Sequence, residues 1–371
     1  MKPIKILEVI RQGEIGGGES HVIDLIAGFN RKEIEPIAMA FTDGHMIETL
    51  RSMGIKCYVV HTKRAFDLNI RKKIKDIIQD EHIELIHAHG SRAASNMLWL
   101  SRCMKIPMVY TVHGWSFHQD QNFIIHQLRA LSEKLICHYS KEVICVSDNN
   151  LQTGKKVFGL KKGMVIENGV NLKRFDYQHT ESSIRKEFGI GENEFIIGFI
   201  GRVTLQKSPI DFVKSIAFAH QKDKNIKGLL VGEGDMNEEV TDYIEKNNLK
   251  DCIYRSNFRT DVPQVLKAMD VFCLPSLWEG LSIALLEAMA MKKPLVVTPT
   301  DGTRELIKNQ INGLIVDFNQ PEKLAEAYLL YRENNELKQT CSENALKLIQ
   351  DRYDSQRVSD AVSDIYKKLK L

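Results

Sequence analysis

The sequence predicts an α/β protein made of two doubly wound domains in tandem. Three observations carry this. The chain has 371 residues, more than one hydrophobic core ordinarily serves. Short apolar runs alternate with amphipathic segments of helical period, and they do so twice. A polar stretch, Asn171 to Glu194, separates the two series.

In the first series "IKILEVI" (4–10) reads as a strand and "ESHVIDLIAGF" (19–29) as a helix, with Val22, Ile23, Ile26 and Phe29 on one face. "EPIAMAF", "IKCYVVH", "IELIHAH", "PMVYTVH" and "EVICVS" follow as strands. Helices lie between them: "MIETLRSMG", "LNIRKKIKDIIQDEH", "SRAASNMLWLSRCM" and a long one over about 122–140. Short buried strands separated by helices imply a parallel sheet covered on both faces.

The second series opens with "EFIIGFIG" as a strand. The helix "PIDFVKSIAFAHQ" follows, with Pro209 in its first turn and Ser208 as N-cap candidate. "KGLLVGEG", "CIYRSN", "VFCLPS", "PLVVTPT" and "GLIVD" are strands; "MNEEVTDYIEKNN", "VPQVLKAM", "SIALLEAMA", "TRELIKN" and C-terminal segments are helices. The expected divisions are 1–172 and 173–354, linked over about 172–193. An amphipathic helix over 355–371 is expected to pack back on the first domain.

Composition narrows the class. Hydrophobic residues make up 43% and charged residues 27%, a soluble globular balance. No apolar run reaches the ~18–20 residues of a membrane span. "MKPIKILEVI" is too short and too charged for a secretory signal, so a cytoplasmic location is expected. The seven cysteines are odd in number and form no CxxC pair, against a disulfide framework or a zinc knuckle. Residues 1–175 carry 25 Lys and Arg against 18 Asp and Glu, the remainder 26 against 30. A basic first half suits anionic partners there, although solvated faces explain any one cluster equally well.

In doubly wound sheets ligands bind beyond the carboxyl ends of the strands, and the informative residues lie there. "RQGEIGGGES" places Gly16, Gly17 and Gly18 before a helix, where backbone can approach an anion. It is no dinucleotide fingerprint, because His21 stands where a third glycine would be needed. That absence disfavours a nicotinamide-dependent dehydrogenase. "GRVTLQKS" places Arg202 and Lys207 after a strand, two cations suited to a diphosphate. "VGEGDM" adds Gly232 and Gly234. His87, His89 and His113 end strands; His87-x-His89 shares one strand face and is a weak metal candidate without a clear third ligand. In "SLWEGLSIALLEAMAMKKP", Glu287 sits in a helix otherwise apolar from Ile283 to Met291, and Glu279 lies just before it. A buried carboxylate costs several kcal/mol unless it is paired or hydrogen-bonded. A neighbouring Arg or a ligand's vicinal hydroxyls would each satisfy it. Ser282 is the N-cap candidate, and the N–H groups of Leu281, Ser282 and Ile283 would face an anion.

Taken in order, these motifs resemble those of retaining GT-B glycosyltransferases of family 4, the glycosyl transferases group 1. The resemblance rests on "EGLSIALLEAMA" with its E-x7-E spacing, "IENGVNLKRF" (166–175), "GRVTLQKS" and "GGGES", and it spans nearly the whole chain. It implies two Rossmann-like domains facing across a cleft. The implied activity is metal-independent transfer, with retention, from a nucleoside-diphosphate sugar, UDP-sugars being commonest. The acceptor would be a glycan or lipid-linked sugar in surface polysaccharide or glycoconjugate synthesis. By the resemblance, Arg202 and Lys207 bind the diphosphate and Glu287 the ribose. Glu279 contacts the sugar, and His113 lies beside it. Gly17, with Gly18, approaches phosphate or acceptor, and the backbone around Asn257, Phe258 and Arg259 holds the base, with Gly232 nearby. No cofactor, metal or nucleic acid is implied. "RKKIK" (71–75) and "KKVFGLKK" (155–162) would suit docking at an anionic membrane surface, at the inner face of a membrane, and solvated helix faces explain them equally well. Departures are Lys292 and Ser208 where the family commonly has glycine, and Asp301 in place of the first of two paired glycines. A sugar-nucleotide epimerase shares the architecture and is the alternative reading.

Overall fold

The computed structural model describes residues 2–14, 16–117 and 122–370. The first unit runs β1 Ile4–Ile10, α1 Gly17–Ala27, β2 Ile34–Ala40, α2 His45–Ser52, β3 Lys56–Val59, α3 Arg71–Asp80, β4 Leu85–His89, α4 Ser91–Met104, β5 Met108–Val112, α5 Phe123–Tyr139, β6 Glu142–Cys145, α6 Asp148–Phe158 and β7 Met164–Val165. All pairings are parallel, in the order β3-β2-β1-β4-β5-β6-β7. The strands are apolar on both faces because helices cover both. Leu7 and Val9 belong to one core with α3, α4 and α5, while Ile6 and Ile10 belong to a second with α1 and α2.

The second unit contains α7 Ile184–Glu187, β8 Phe195–Ile200, α8 Pro209–Lys222, β9 Ile226–Val231, α9 Asn237–Lys246, β10 Ile253–Ser256, α10 Val262–Ala268, β11 Val271–Leu274, α11 Ile283–Ala290, β12 Leu295–Val297, α12 Asp301–Leu306, β13 Leu314–Ile315, α13 Pro321–Glu333 and α14 Asn335–Arg352. Its sheet has the order β10-β9-β8-β11-β12-β13, again all parallel. Packing is tight at β8. A Cβ on Gly198 would lie 1.9 Å from Met269 Sδ, so any side chain there would have to displace the end of Met269.

The chain divides into Met1–Gly169 with Ser355–Leu371, and Val170–Asp354. The stretch 171–194 reads as a linker by its polarity, but it is part of the second unit. Val170, Phe175, Ile184 and Ile190 are buried in that unit's core, and Val170 bridges Asp354. The last helix, α15 Ser355–Lys370, packs on the first unit through Val358, Val362, Ile365 and Tyr366. Among the described residues no helix is long and apolar enough to cross a membrane.

Candidate functional site

In each unit the strand order reverses beside the first strand of the series, and each reversal gathers the polar residues singled out in the sequence. In the second unit the reversal lies between β8 and β11. Arg202 and Lys207 follow β8; Glu279, Leu281, Ser282 and Ile283 lie between β11 and α11. Lys207 forms an ion pair with Glu279, and both side chains are 11% exposed. Ser276 Oγ lies 3.4 Å from the same Glu279 oxygen.

The two loops are bound to each other by one backbone hydrogen bond and one from the Gln206 side chain. Leu277 N donates to Gln206 O at 2.8 Å, and Gln206 Nε2 to Trp278 O at 2.9 Å. Gln206 Oε1 accepts from exposed Arg202 at 3.3 Å. The β9 loop closes on the same place: Val203 N donates to Glu233 O at 2.9 Å. Gly232 has φ +143°, and a Cβ there would fall 1.9 Å from Gly201 O. Both the conformation and the approach demand glycine. On the other side Gly302 abuts Gly280 O, where a Cβ would lie 2.0 Å away. The second of the two paired-glycine positions is therefore sterically required, and Asp301 occupies the freer first.

Leu281, Ser282 and Ile283 are buried, and Glu287 is 8% exposed, one turn into α11. Ser282 and Ser208 do stand at helix starts, but neither side chain caps its helix. Ser208 has φ +48° and donates instead to Asp211 at 2.8 Å. Lys292, just past α11, has φ +54°. Both departures from the family's glycine thus keep the left-handed backbone that glycine favours. Phe258, 40% exposed, follows β10 at the sheet's outer edge rather than at the reversal. Its neighbour Arg259 is held by Glu187 and Asp261.

In the first unit the reversal lies between β1 and β4. Gly17 and Gly18 form the first turn of α1, and a Cβ on Gly18 would sit 3.9 Å from His113. His113 follows β5, and its Nε2 lies 3.2 Å from His89 Nδ1. His89 Nε2 lies 2.9 Å from Glu8. His21 of α1 packs edge-on to His113, ring centroids 4.9 Å apart. His87 is committed to Tyr366 (2.5 Å) and Thr111 (2.7 Å), and Tyr366 donates to the other Glu8 oxygen at 2.8 Å. Burial draws His89 down to about 4 and His21 to about 3, and pushes His113 well below its ordinary range. Burial alone would raise Glu8. The attraction of His87 and hydrogen bonds from His87 and His89 outweigh it, leaving the carboxyl below the usual range.

Metal ligation needs neutral imidazoles, and burial favours the neutral form of His21, His89 and His113. His21, His89 and His113 place ring nitrogens within 4.8 Å of one another, as Glu8, His87 and His89 do their ligand atoms, so the group that joins the His87-x-His89 pair is Glu8 rather than a third histidine. Glu8 and Tyr366 are further residues that spacing did not bring forward. Glu8 carries the same signal as Glu287, one carboxylate in an apolar element.

Comparison with known proteins identifies the same family that the motifs resemble. Glycosyl transferases group 1 matches residues 180–348, and Glycosyltransferase Family 4 matches 15–174. The chain is 26% identical over 364 residues to the Escherichia coli UDP-Gal:alpha-D-GlcNAc-diphosphoundecaprenol alpha-1,3-galactosyltransferase, covering 96% of this chain and 92% of that one. It is 27% identical to the Campylobacter jejuni N,N'-diacetylbacillosaminyl-diphospho-undecaprenol alpha-1,3-N-acetylgalactosaminyltransferase over 80% and 82% of the two chains. In structure it resembles Anabaena HepE, crystallised with UDP and glucose, at TM-score 0.86 and 22% identity, covering 98% and 99%. Two parallel-sheet α/β units of this kind are the GT-B architecture of glycosyltransferases. The chain belongs to the family 4 glycosyltransferases, the glycosyl transferases group 1. These relatives favour transfer over the epimerase reading.

Proposed function

We propose that the enzyme transfers a sugar, with retention and without a metal, from a UDP-sugar to a lipid-linked or glycan acceptor in polysaccharide synthesis. The observation that carries this is the Lys207–Glu279 pair at the strand-order reversal, tied by hydrogen bonds to the Arg202 loop. Departure of a nucleoside diphosphate develops charge on phosphate and oxocarbenium character on the sugar. Arg202, Lys207 and the α11 N-terminus at 281–283 stabilise the phosphate. Glu279 fixes Lys207 and accepts from sugar hydroxyls, Glu287 accepts from the ribose, and the loop at Phe258 and Gly232 receives the base. No side chain here is an evident covalent nucleophile, so attack comes from the leaving-group face, with the departing phosphate taking the acceptor's proton. His113, with Gly17 and Gly18, serves the sugar and acceptor end.

The donor is tested by incubating the enzyme with a panel of nucleotide sugars and measuring released nucleoside diphosphate. Release from UDP-sugars, unaffected by EDTA, with an α-configured product by NMR is the expected result. Release confined to another nucleotide, loss of activity in EDTA, or an inverted anomer each removes the corresponding part of the reading.

The acceptor end suits a membrane. On α5, Ile124, Leu128, Leu131, Leu135 and Tyr139 recur at helical spacing and are 66%, 62%, 63%, 43% and 37% exposed. Arg102 stacks on Tyr139, and Arg71 of "RKKIK" stacks on half-exposed Trp99. Apolar, aromatic and basic groups together fit the interface of an anionic bilayer. Flotation with anionic but not neutral liposomes, lost in Leu128→Asp/Leu131→Asp, is expected. Equal flotation of wild type and variant overturns it.

A further inference from the structure

The polar chain in the first unit has a direction. Ionised Glu8 can only accept hydrogen bonds, so every ring nitrogen that faces it carries the proton. His89 Nε2 faces Glu8 at 2.9 Å and is the donor. His89 is 1% exposed and neutral, which leaves its Nδ1 a bare lone pair. His113 Nε2, 3.2 Å from that lone pair, must then donate to it. His113 is neutral as well, so its Nδ1 is unprotonated. Among the described residues, Nδ1 has no hydrogen-bond partner.

We propose that Glu8 and His89 are positioning residues that lock His113 in its Nε2–H tautomer, so that His113 offers a hydrogen-bond acceptor, Nδ1, to a hydroxyl of the bound sugar or acceptor. This rests on the glycosyltransferase reading of the site, which supplies the hydroxyl. It adds that His113 selects a group able to donate. A substrate whose corresponding hydroxyl is replaced by fluorine is rejected, because fluorine has no proton to give. Tyr366 and His87 complete the shell. Tyr366 occupies the other Glu8 oxygen, and Thr111 and Tyr366 hold both nitrogens of His87. Of Glu8's donors, only the His89 arm leads on to His113. The carboxylate that fixes imidazole tautomer in a serine-protease triad works on the same principle.

The test is histidine-selective 15N labelling of the full chain and a long-range 1H–15N correlation at neutral pH, with His113 assigned from its absence in His113→Gln. Wild type is expected to show His113 protonated at Nε2 and bare at Nδ1. In Glu8→Gln the amide can donate to His89 Nε2 and reverse the chain. His113 then gains the Nδ1–H form, and kcat falls about 10- to 100-fold with KM nearly unchanged, the range set by inverting a buried hydrogen bond. Tyr366→Phe removes a donor from the other Glu8 oxygen and should leave the His113 tautomer as in wild type. Should Glu8→Gln not fold, His89→Phe keeps the Glu8 carboxylate and its Tyr366 donor while removing the acceptor for His113 Nε2 and one donor to Glu8, and mixed His113 tautomers are expected. His113 protonated at Nδ1 in wild type, a tautomer indifferent to both Glu8→Gln and His89→Phe, or a metal ion bound by His89 and His113 in the purified protein overturns the proposal. A protein with the expected tautomer that turns over no nucleotide sugar instead refutes the assigned activity and leaves the tautomer chain standing.

Discussion

The Lys207–Glu279 pair can be separated into its structural and chemical parts by a double-mutant cycle. Both side chains are 11% exposed, so each charge has lost most of its water. In Lys207→Met the Glu279 carboxylate keeps only the long contact from Ser276, at 3.4 Å. Removing one partner of a buried pair costs about 3–5 kcal/mol, and the residual exposure here places the loss near about 2–3 kcal/mol. Glu279→Gln strands Lys207 in the same way and should cost a similar amount. In Lys207→Met/Glu279→Gln neither charge is left alone. The double variant should therefore be more stable than the sum of the singles by about 1–3 kcal/mol. Urea unfolding followed by fluorescence and circular dichroism measures each corner of the cycle. Turnover is read as nucleoside diphosphate released from the preferred donor, and it should fall by orders of magnitude in all three variants, without recovery in the double. Additive stabilities refute the pairing energy. A double variant that regains both stability and wild-type turnover refutes a catalytic role and leaves the pair purely structural.

Other expectations follow from single features. Gly232→Ala puts a Cβ 1.9 Å from Gly201 O at φ +143°, so it should lose about 1–3 kcal/mol and, by displacing the Arg202 loop, most of its turnover; stability and rate measured together would contradict this if both were unchanged. Lys292→Gly relieves a left-handed residue at φ +54° and gives up the exposed pair with Glu343 and the contact of its ammonium over the Tyr177 ring, so it should gain at most about 0.5–1 kcal/mol in urea; a loss would show that these contacts outweigh the strain. Between pH 6.5 and about 4 the unfolded chain protonates histidines that the fold keeps neutral, so stability should fall as pH falls through that window. His89 alone, lowered to about 4, is worth up to about 3 kcal/mol across it. Glu8, depressed rather than raised, starts to give up its contribution as pH falls through its ordinary value of 4.5, so it adds to the loss at the foot of the window and offsets none of it. A flat stability profile over the window would contradict the buried neutral histidines.

The fold was legible because its signals are local. Every strand but the two-residue β7, Met164–Val165, shows as an apolar run, and Arg202, Lys207, Glu279 and Glu287 announce themselves as charges placed after strands or inside an apolar helix. What escaped depends on contacts far apart in sequence. Glu8 looks like one polar residue in β1 until β4 brings His87 and His89 beside it. His21 reads only as a broken glycine fingerprint until α1 packs it against His113. Helix α6 was hidden inside a stretch taken for its basic charge, although Ser147 caps it by accepting from Asn150 N at 3.1 Å. The polar stretch 171–194 looked like a linker because composition does not reveal that Phe175, Ile184 and Ile190 enter a core. Capping by Ser208 and Ser282 failed for a conformational reason in the first case, since a left-handed residue cannot aim its hydroxyl at the helix N–H groups.

Helix α15 has a consequence for how the chain is made. The first unit begins at the N-terminus, yet its last helix follows the whole of the second unit in sequence. During synthesis β1 emerges with Glu8 at its centre, and the Tyr366 hydroxyl that satisfies one of its oxygens comes 358 positions later. Until then that oxygen lacks its Tyr366 donor, and the apolar face of α1 lacks its cover from α15. The usual order, in which the N-terminal domain is finished first, is inverted. A nascent chain stalled before Ser355 would carry a complete second unit and an incomplete first one.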